Sequence, residues 1–336
     1  MHSRSSFILA LRTAISGLAI LALFSFAVPA SLAAQTDNGG SHIKNFQHVF
    51  IIMMENTSYT SLIGNPNAPW INYAAQTYGL ATQYFGVTHP SQPNYIAATS
   101  GSTNGVTSDS DVTINVPNIV DQLEARGKSW RAYMQSLSLC NGNILASSCG
   151  NQLYERKHDP FVSYQDVQDN PERLEHIVDF SQFYTDLASN NVPDYSWISP
   201  DQCHDMHGRA STPSDPCDFS QVQQLIATGD AFLKHTVDAI MDSRAWNGNS
   251  VIFITWDESD FPFNDTSGCC DAVPGGGHVV TIVISHSDHA PRTSSTPYNH
   301  YSMLATIEDG WKLGCLAFTC DTANVPPMAD LVGPRG

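Results

Sequence analysis

HVFIIMMENTSY, residues 48–59, decides how this chain is read. An apolar run from Val49 to Met54 stops abruptly at Glu55 and Asn56. A run this short, closed by polar residues, has the pattern of a strand buried on both faces. Its carboxyl end then carries Glu55 and Asn56, and open α/β sheets hold their ligands at that end. SVIFITWDESD, residues 250–260, repeats the shape and ends in Asp257 and Glu258. Two strand ends that each deliver an acidic pair offer hard oxygen ligands for one divalent ion. Taken alone, each pair equally fits solvated loop acids after a core strand.

The stretches between these two runs alternate in the same way. Helical spacing is read over 69–80, where Ile71, Ala74, Ala75 and Tyr78 recur before Gly79, over 116–126, and over 219–243. In the last, Val222, Leu225, Ile226, Phe232, Val237, Ile240 and Met241 form one apolar stripe. Strands are read over 129–135, at the start of 194–208, and over 278–285. Pro90 and Pro93 predict a rigid loop around Ser91, after which YIAATSG resumes an apolar segment. Residues 298–314 open with a His loop and become a helix. Strands alternating with helices predict a layered α/β fold with a mostly parallel central sheet. Polar, His- and acid-rich segments follow the strands, so they are expected to gather at one sheet edge.

The amino-terminus reads as a targeting segment. Arg4 and Arg12 flank a mostly apolar stretch to Ala30, and Ala30-Ser31-Leu32-Ala33-Ala34 supplies small residues for cleavage. Residues 1–34 are therefore expected to be a signal peptide, residues 35–45 a polar flexible lead, and residues 46–336 a single catalytic domain. An uncleaved membrane anchor is the competing reading. The formal charge of the whole chain is −17, and loss of Arg4 and Arg12 makes the mature protein more acidic still. Such a surface repels nucleic acid and anionic membranes at long range. An anionic substrate would need a local cation to offset that field. Eight cysteines in an exported chain suggest disulfides. Close spacing favours Cys140–Cys149, Cys203–Cys217 and Cys315–Cys320, and leaves adjacent Cys269 and Cys270 either as a vicinal pair or in another connectivity. With no CxxC pair, a zinc ribbon is disfavoured.

Ser91 is the best nucleophile candidate, braced between two prolines with His89 and Asn94 close by. A free serine hydroxyl is a weak nucleophile and needs a base or a metal. The chain has no GxSxG turn for an acyl-transfer triad, which favours a metal-assisted hydroxyl. Glu55, Asn56, Ser91, Asp257 and Glu258 would make an oxygen-rich metal site. CHDMHG contributes His204, Asp205 and His207 as metal ligands or phosphate donors; packing beside a disulfide is the plain alternative. His158, beside Lys157, is a further cation candidate or a solvated pair. His278 follows Gly275-Gly276-Gly277, where glycines let a backbone approach a ligand. His300 precedes a helix whose amino-terminus favours an anion. Asn56-Thr57-Ser58 and Asn264-Asp265-Thr266 match the N-glycosylation pattern; a glycan on Asn56 would cover the expected site.

The ordered set MMENTSY, THPSQPNY, YERKHDPF, SPDQCHDMHG, ITWDES, GGGH and NHYSMLATIEDGWKLG resembles the bacterial and fungal phosphoesterase family of secreted acid phosphatases and non-specific phospholipases C, within the alkaline-phosphatase-like superfamily. The resemblance spans about residues 45–316. It implies a three-layer α/β/α sandwich, hydrolysis of phosphate esters at a metal centre, and a phosphoserine at Ser91. By resemblance, Glu55 and Asn56 supply the first-strand ligands and Asp257 with Glu258 the second pair. His204, Asp205, His278 and His300 look like phosphate-contacting or proton-donating groups. Asp201, His204 and His300 fit a second metal site only loosely, so one divalent ion is expected. The expected site thus has Ser91, His204 and His300 in catalysis, and Asn56, His89, Asn94, His158, Asp205, His207 and His278 on the substrate. The resemblance implies a small phosphomonoester or a phospholipid headgroup as substrate; with the targeting segment removed, a secreted or periplasmic protein, monomeric and not inserted in the membrane, is expected. A phospholipase C-type diesterase and a binding protein that has lost catalysis are the alternatives.

Overall fold

A computed structural model describes residues 43–260, 265–287 and 290–332. The expected signal peptide, all but the end of the polar lead, and Asn264 lie outside the described residues. Nine strands form the main sheet: β1 (Val49–Met54), β2 (Gly79–Phe85), β3 (Trp130–Met134), β4 (Ile177–Asp179), β5 (Tyr195–Ser199), β6 (Val251–Trp256), β7 (His278–Ser285), β8 (Arg292–Ser294) and β9 (Tyr298–Asn299). Their order is β8-β2-β7-β6-β1-β5-β3-β4, with β9 also pairing β2. β7 alone runs antiparallel to its neighbours; every other pair in the sheet is parallel.

β1 lies near the middle of the sheet, and all six of its residues are buried, as are all six of β6. Each fully buried Ile, Phe or Met gains about 1.5–3 kcal/mol by transfer from water. That offsets the roughly 1–2 kcal/mol of backbone ordering per residue. The two strands run in unbroken parallel register from Val49↔Val251 to Met54↔Trp256. Glu55 and Asp257 therefore leave the sheet at the same level.

Among the described residues, six helices of seven residues or more accompany this sheet: α1 (Pro69–Thr77), α2 (Ser91–Ser100), α3 (Ile119–Ala125), α4 (Ser181–Ser189), α5 (Val222–Met241) and α6 (His300–Trp311). Side-chain direction sorts them into layers. Ile51 is the register partner of Trp197, so Phe50 and Trp197 point to opposite faces. Phe50 meets Phe183 of α4, whereas Trp197 meets Tyr95 of α2. α4 and α1 pack on α5, and α2 packs on α6. The result is the expected three-layer α/β/α sandwich. Among the described residues, no helix is long and apolar enough to cross a membrane.

Two local readings change. The segment around Ser91 is not a loop: Ser91 opens α2, and Pro93 sits in its first turn. Proline is tolerated there because the amides of a first turn have no intrahelical acceptor. The helix read over 69–80 stops at Thr77, and Gly79 begins β2. Disulfides join Cys140–Cys149, Cys203–Cys217 and Cys315–Cys320, and Cys269–Cys270 is a vicinal pair.

Candidate active site

The carboxyl ends of β1, β2, β5 and β6 converge on Ser91. Ser91 is 1% exposed, and its hydroxyl lies 2.6 Å from Glu55 Oε1 and 3.1 Å from Glu258 Oε1, so its single hydrogen has two alternative carboxylate acceptors. Asp257 Oδ1 accepts from the backbone N–H groups of Asn56 (3.0 Å) and Glu258 (2.7 Å). Asn56 reaches this position with φ of 41°, a left-handed conformation that asparagine tolerates better than most residues. Lys157 enters from a short 3₁₀ turn, Arg156–His158. Its Nζ lies 3.4 Å from both Glu55 Oε1 and Ser91 Oγ, and 3.1 Å from Asp109 Oδ2.

Electrostatics divides these carboxylates. Burial alone would raise Glu55, but His207, Lys157 and His158 hold it well below the usual carboxylate range. Burial, reinforced by the charge on Glu55, pushes Asp257 and Asp205 well above it. Glu258 is also raised by burial, with its hydrogen bond to His89 pulling back. Lys157 is desolvated, yet Glu55, Asp109 and Asp257 raise its pKa and keep it charged. His158 is pulled down by burial; its Nε2 lies 2.8 Å from Glu55 Oε1, and its ring stacks on Tyr95 at 5.1 Å. His207 Nδ1 is 2.7 Å from Gly208 O, which leaves Nε2 facing Glu55 Oε2 at 3.7 Å. His89 Nδ1 pairs with Glu258, and that hydrogen bond raises the histidine.

Glu55, His89, Ser91, His158, Asp205, His207, Asp257 and Glu258 thus come together, with the backbone of Asn56. Four expected residues take other places. His300 is fully buried, its ring nitrogens 3.1 Å from the Tyr84 hydroxyl and 2.6 Å from the Asp257 carbonyl; burial lowers its pKa to about 4, so it braces Asp257 as a neutral group. His204 pairs with Asp201 and lines a separate open cleft of about 750 Å³ with Gln135, Phe180 and Phe232. His278 stacks on Tyr59 and lies 3.0 Å from the Thr82 carbonyl. Asn94 uses both ends of its amide on the backbone of Val87, Thr88 and Pro90, bracing the turn into α2. The sequence pattern missed three neighbours: Tyr95, Asp109 and the acting role of Lys157. Lys157 lay in plain view in YERKHDPF, beside the chosen His158.

A metal is tested by what the carboxylates lack. Glu55 Oε2, Asp205 Oδ2 and Asp257 Oδ2 are buried without a hydrogen-bond partner, which suits a hard cation. The side chains are nevertheless paired with one another; among the described residues, no three His, Cys, Asp or Glu side chains are gathered as a metal-binding group.

A sheet delivering buried carboxylates to a serine at a helix start, with a charged lysine beside it, suits phosphoryl chemistry. The profile of the Phosphoesterase family matches residues 65–314, and the chain belongs to that family. It is a phosphoric ester hydrolase. A phosphatidylinositol-3-phosphatase from Mycobacterium tuberculosis is 30% identical over 94% of this chain and 90% of its own length. A probable acid phosphatase from Kluyveromyces lactis is 29% identical, and an acid phosphatase from Aspergillus fumigatus 27%, each over 83% of this chain. The chain spans only 62% and 58% of those fungal proteins. Among solved structures, an alkaline phosphatase superfamily protein from Vibrio parahaemolyticus superposes with a TM-score of 0.53 over 88% of this chain and 72% of its own, at 16% identity. The lipoteichoic acid synthase LtaP from Listeria monocytogenes gives 0.54 over 87% and 77%, at 12% identity. At these identities the likeness concerns the fold.

Proposed function

We propose that this chain is an exported, metal-dependent phosphomonoesterase that works through a phosphoserine at Ser91. The observation that carries this reading is the Ser91 hydroxyl, held between Glu55 and Glu258 with the Lys157 ammonium 3.4 Å away. As Ser91 Oγ bonds to phosphorus, its proton passes to Glu258, the raised carboxyl of the two. Lys157 neutralises a phosphoryl oxygen. The bond from phosphorus to the ester oxygen breaks, and His207, reachable from solvent, protonates that oxygen. Water then attacks the phosphoserine and gives a proton to His207; the bond from phosphorus to Ser91 Oγ breaks, Glu258 returns its proton to that oxygen, and inorganic phosphate leaves.

Glu55, Asp257 and Glu258, now paired with neighbouring groups rather than gathered, would turn toward one divalent ion to hold it, Glu55 and Asp257 through their unpartnered oxygens. When bound, that ion would lower the pKa of the serine hydroxyl and polarise the phosphoryl group. The four disulfides support export to an oxidising compartment. The likeness over nine-tenths of a phosphatidylinositol-3-phosphatase favours monoesters, including phosphorylated inositol headgroups, over diesters.

Phosphate release tests this directly. Wild-type and Ser91→Ala proteins are compared on p-nitrophenyl phosphate, bis-p-nitrophenyl phosphate, and vesicles of phosphatidylinositol 3-phosphate or phosphatidylcholine, after EDTA treatment and metal add-back. Metal-dependent release from the monoesters, lost in Ser91→Ala, is expected. Diester or phosphatidylcholine cleavage would move the reading to a phospholipase C. Full activity of Ser91→Ala would overturn the role of that serine.

A further inference from the structure

Resting on the Ser91 reading, we infer that Asp109 is an internal competitor for the phosphoryl site. Its carboxylate occupies two donors that a phosphoryl group on Ser91 would use. Oδ1 accepts from the Gln92 backbone N–H at 2.9 Å, and Oδ2 accepts from Lys157 Nζ at 3.1 Å. Lys157 Nζ is itself 3.4 Å from Ser91 Oγ, and Gln92 is the residue after Ser91 at the start of α2. Residue 93 is proline and has no N–H, so Gln92 is a principal forward-facing donor of that helix start. A carboxylate and a phosphoryl group ask for the same thing: hydrogen-bond donors and positive potential.

The chain is routed to deliver this anion. After α2 ends at Ser100, residues 101–109 run back along a helix of about 15 Å to its starting end. Beyond Asp109, the loop is fastened where Arg156 Nη2 donates to the Val112 carbonyl at 3.3 Å and Ser147 bonds Asp111. Arg156 belongs to the same short turn as Lys157, so one turn holds the loop and presents the competed cation. Asp109 is itself accessible, with 35% side-chain exposure, while Ser91 beneath it is buried. A substrate phosphoryl group therefore displaces Asp109 from Lys157 and Gln92 as it approaches Ser91. The aspartate weakens binding of every anion at the site, product phosphate included.

The test is Asp109→Ala and Asp109→Asn in the full chain. Steady-state kinetics on p-nitrophenyl phosphate should show KM lowered at least five-fold, with inorganic phosphate inhibiting at correspondingly lower concentration. Calorimetric titration of inorganic phosphate into Ser91→Ala and Ser91→Ala/Asp109→Ala reads the same competition without turnover, and the double variant should bind at least five-fold tighter. An unchanged or raised KM, or equal phosphate affinity in the two serine variants, would mean that Asp109 only positions Lys157, and would overturn the proposal. Activity that survives in Ser91→Ala alone is the separate sign that the Ser91 reading itself is wrong.

Discussion

Ser91 Oγ lies 2.6 Å from Glu55 Oε1, although the two residues come from different elements, the start of a helix and the end of the central strand. Glu55 is held ionised by His207, Lys157 and His158 despite complete burial. The serine is thus the neutral member of a charged cluster, and replacing it removes a hydroxyl rather than a charge. Ser91→Ala should lower kcat by at least about 10³-fold, as loss of a nucleophile does. Its melting temperature should stay near wild type, because His158 and Lys157 still serve Glu55 Oε1. Turnover with burst kinetics on p-nitrophenyl phosphate checks the first expectation, and thermal denaturation the second.

Lys157→Met keeps much of the side-chain volume and removes the charge. Glu55 and Ser91 both lose the cation 3.4 Å away, and a developing phosphoryl charge loses its nearest ammonium. Loss of one preorganised electrostatic donor costs about 10²–10³ in rate. kcat/KM on p-nitrophenyl phosphate is expected to fall in that range. A fall below tenfold would mean that Lys157 serves only to neutralise Glu55.

The parts of this centre that were legible were those written along a single strand. β1 and β6 announce themselves as apolar runs closed by acid, because a strand buried on both faces excludes charge until it leaves the sheet and admits a polar group only where, like Thr255, it finds a buried partner. Glu55 and Asp257 followed from that. β2 was illegible: its Thr82 and Gln83 break the apolar run, and its burial depends on β7 and β8, which are distant in sequence. Pro93 disguised a helix, since proline punctuates a loop and opens a helix equally well. The roles of histidines are set by partners that sequence does not reveal. His300 looked like a proton donor before a helix, but its ring is spent on Tyr84 and the Asp257 carbonyl. The Gly275–Gly277 run suggested room for a ligand; a Cβ at Gly276 would instead collide with the Thr88 carbonyl, so the glycine lets two loops of the protein meet.

Metal binding should be readable without turnover. Glu55 Oε2 and Asp257 Oδ2 are buried acceptors that receive no hydrogen bond, His207 Nε2 standing 3.7 Å from the first, so a cation that satisfies them stabilises the folded chain alone. At about 100 times its dissociation constant, such an ion adds about 2.7 kcal/mol. After EDTA treatment, add-back of Mg²⁺, Ca²⁺, Mn²⁺ or Zn²⁺ should raise the melting temperature for at least one ion. Asp257→Asn should lose that shift. Equal melting curves with and without every ion would remove the metal from the proposal.

Glu308 gives a pH-dependent stability distinct from the catalytic centre. It lies on α6, 2% exposed, with Oε1 accepting from Gln122 at 2.9 Å and Oε2 unpartnered. Burial raises its pKa from 4.5 to about 8, against smaller opposing hydrogen bonds from Thr319 and Gln122. Between those two values the folded chain binds a proton that the unfolded chain releases, so stability falls as pH rises. The contribution is complete below about pH 4.5 and is lost as pH passes through about 8. At about 1.4 kcal/mol per pH unit, its upper bound is on the order of 5 kcal/mol. Glu308→Gln cannot ionise and keeps an acceptor for Gln122. Its melting temperature relative to wild type should therefore climb from pH 5 to about pH 8 and level off above that, where wild-type Glu308 is ionised in both the folded and unfolded chain. A difference that stays constant across that range would show that Glu308 is charged, or already exposed, in the folded protein.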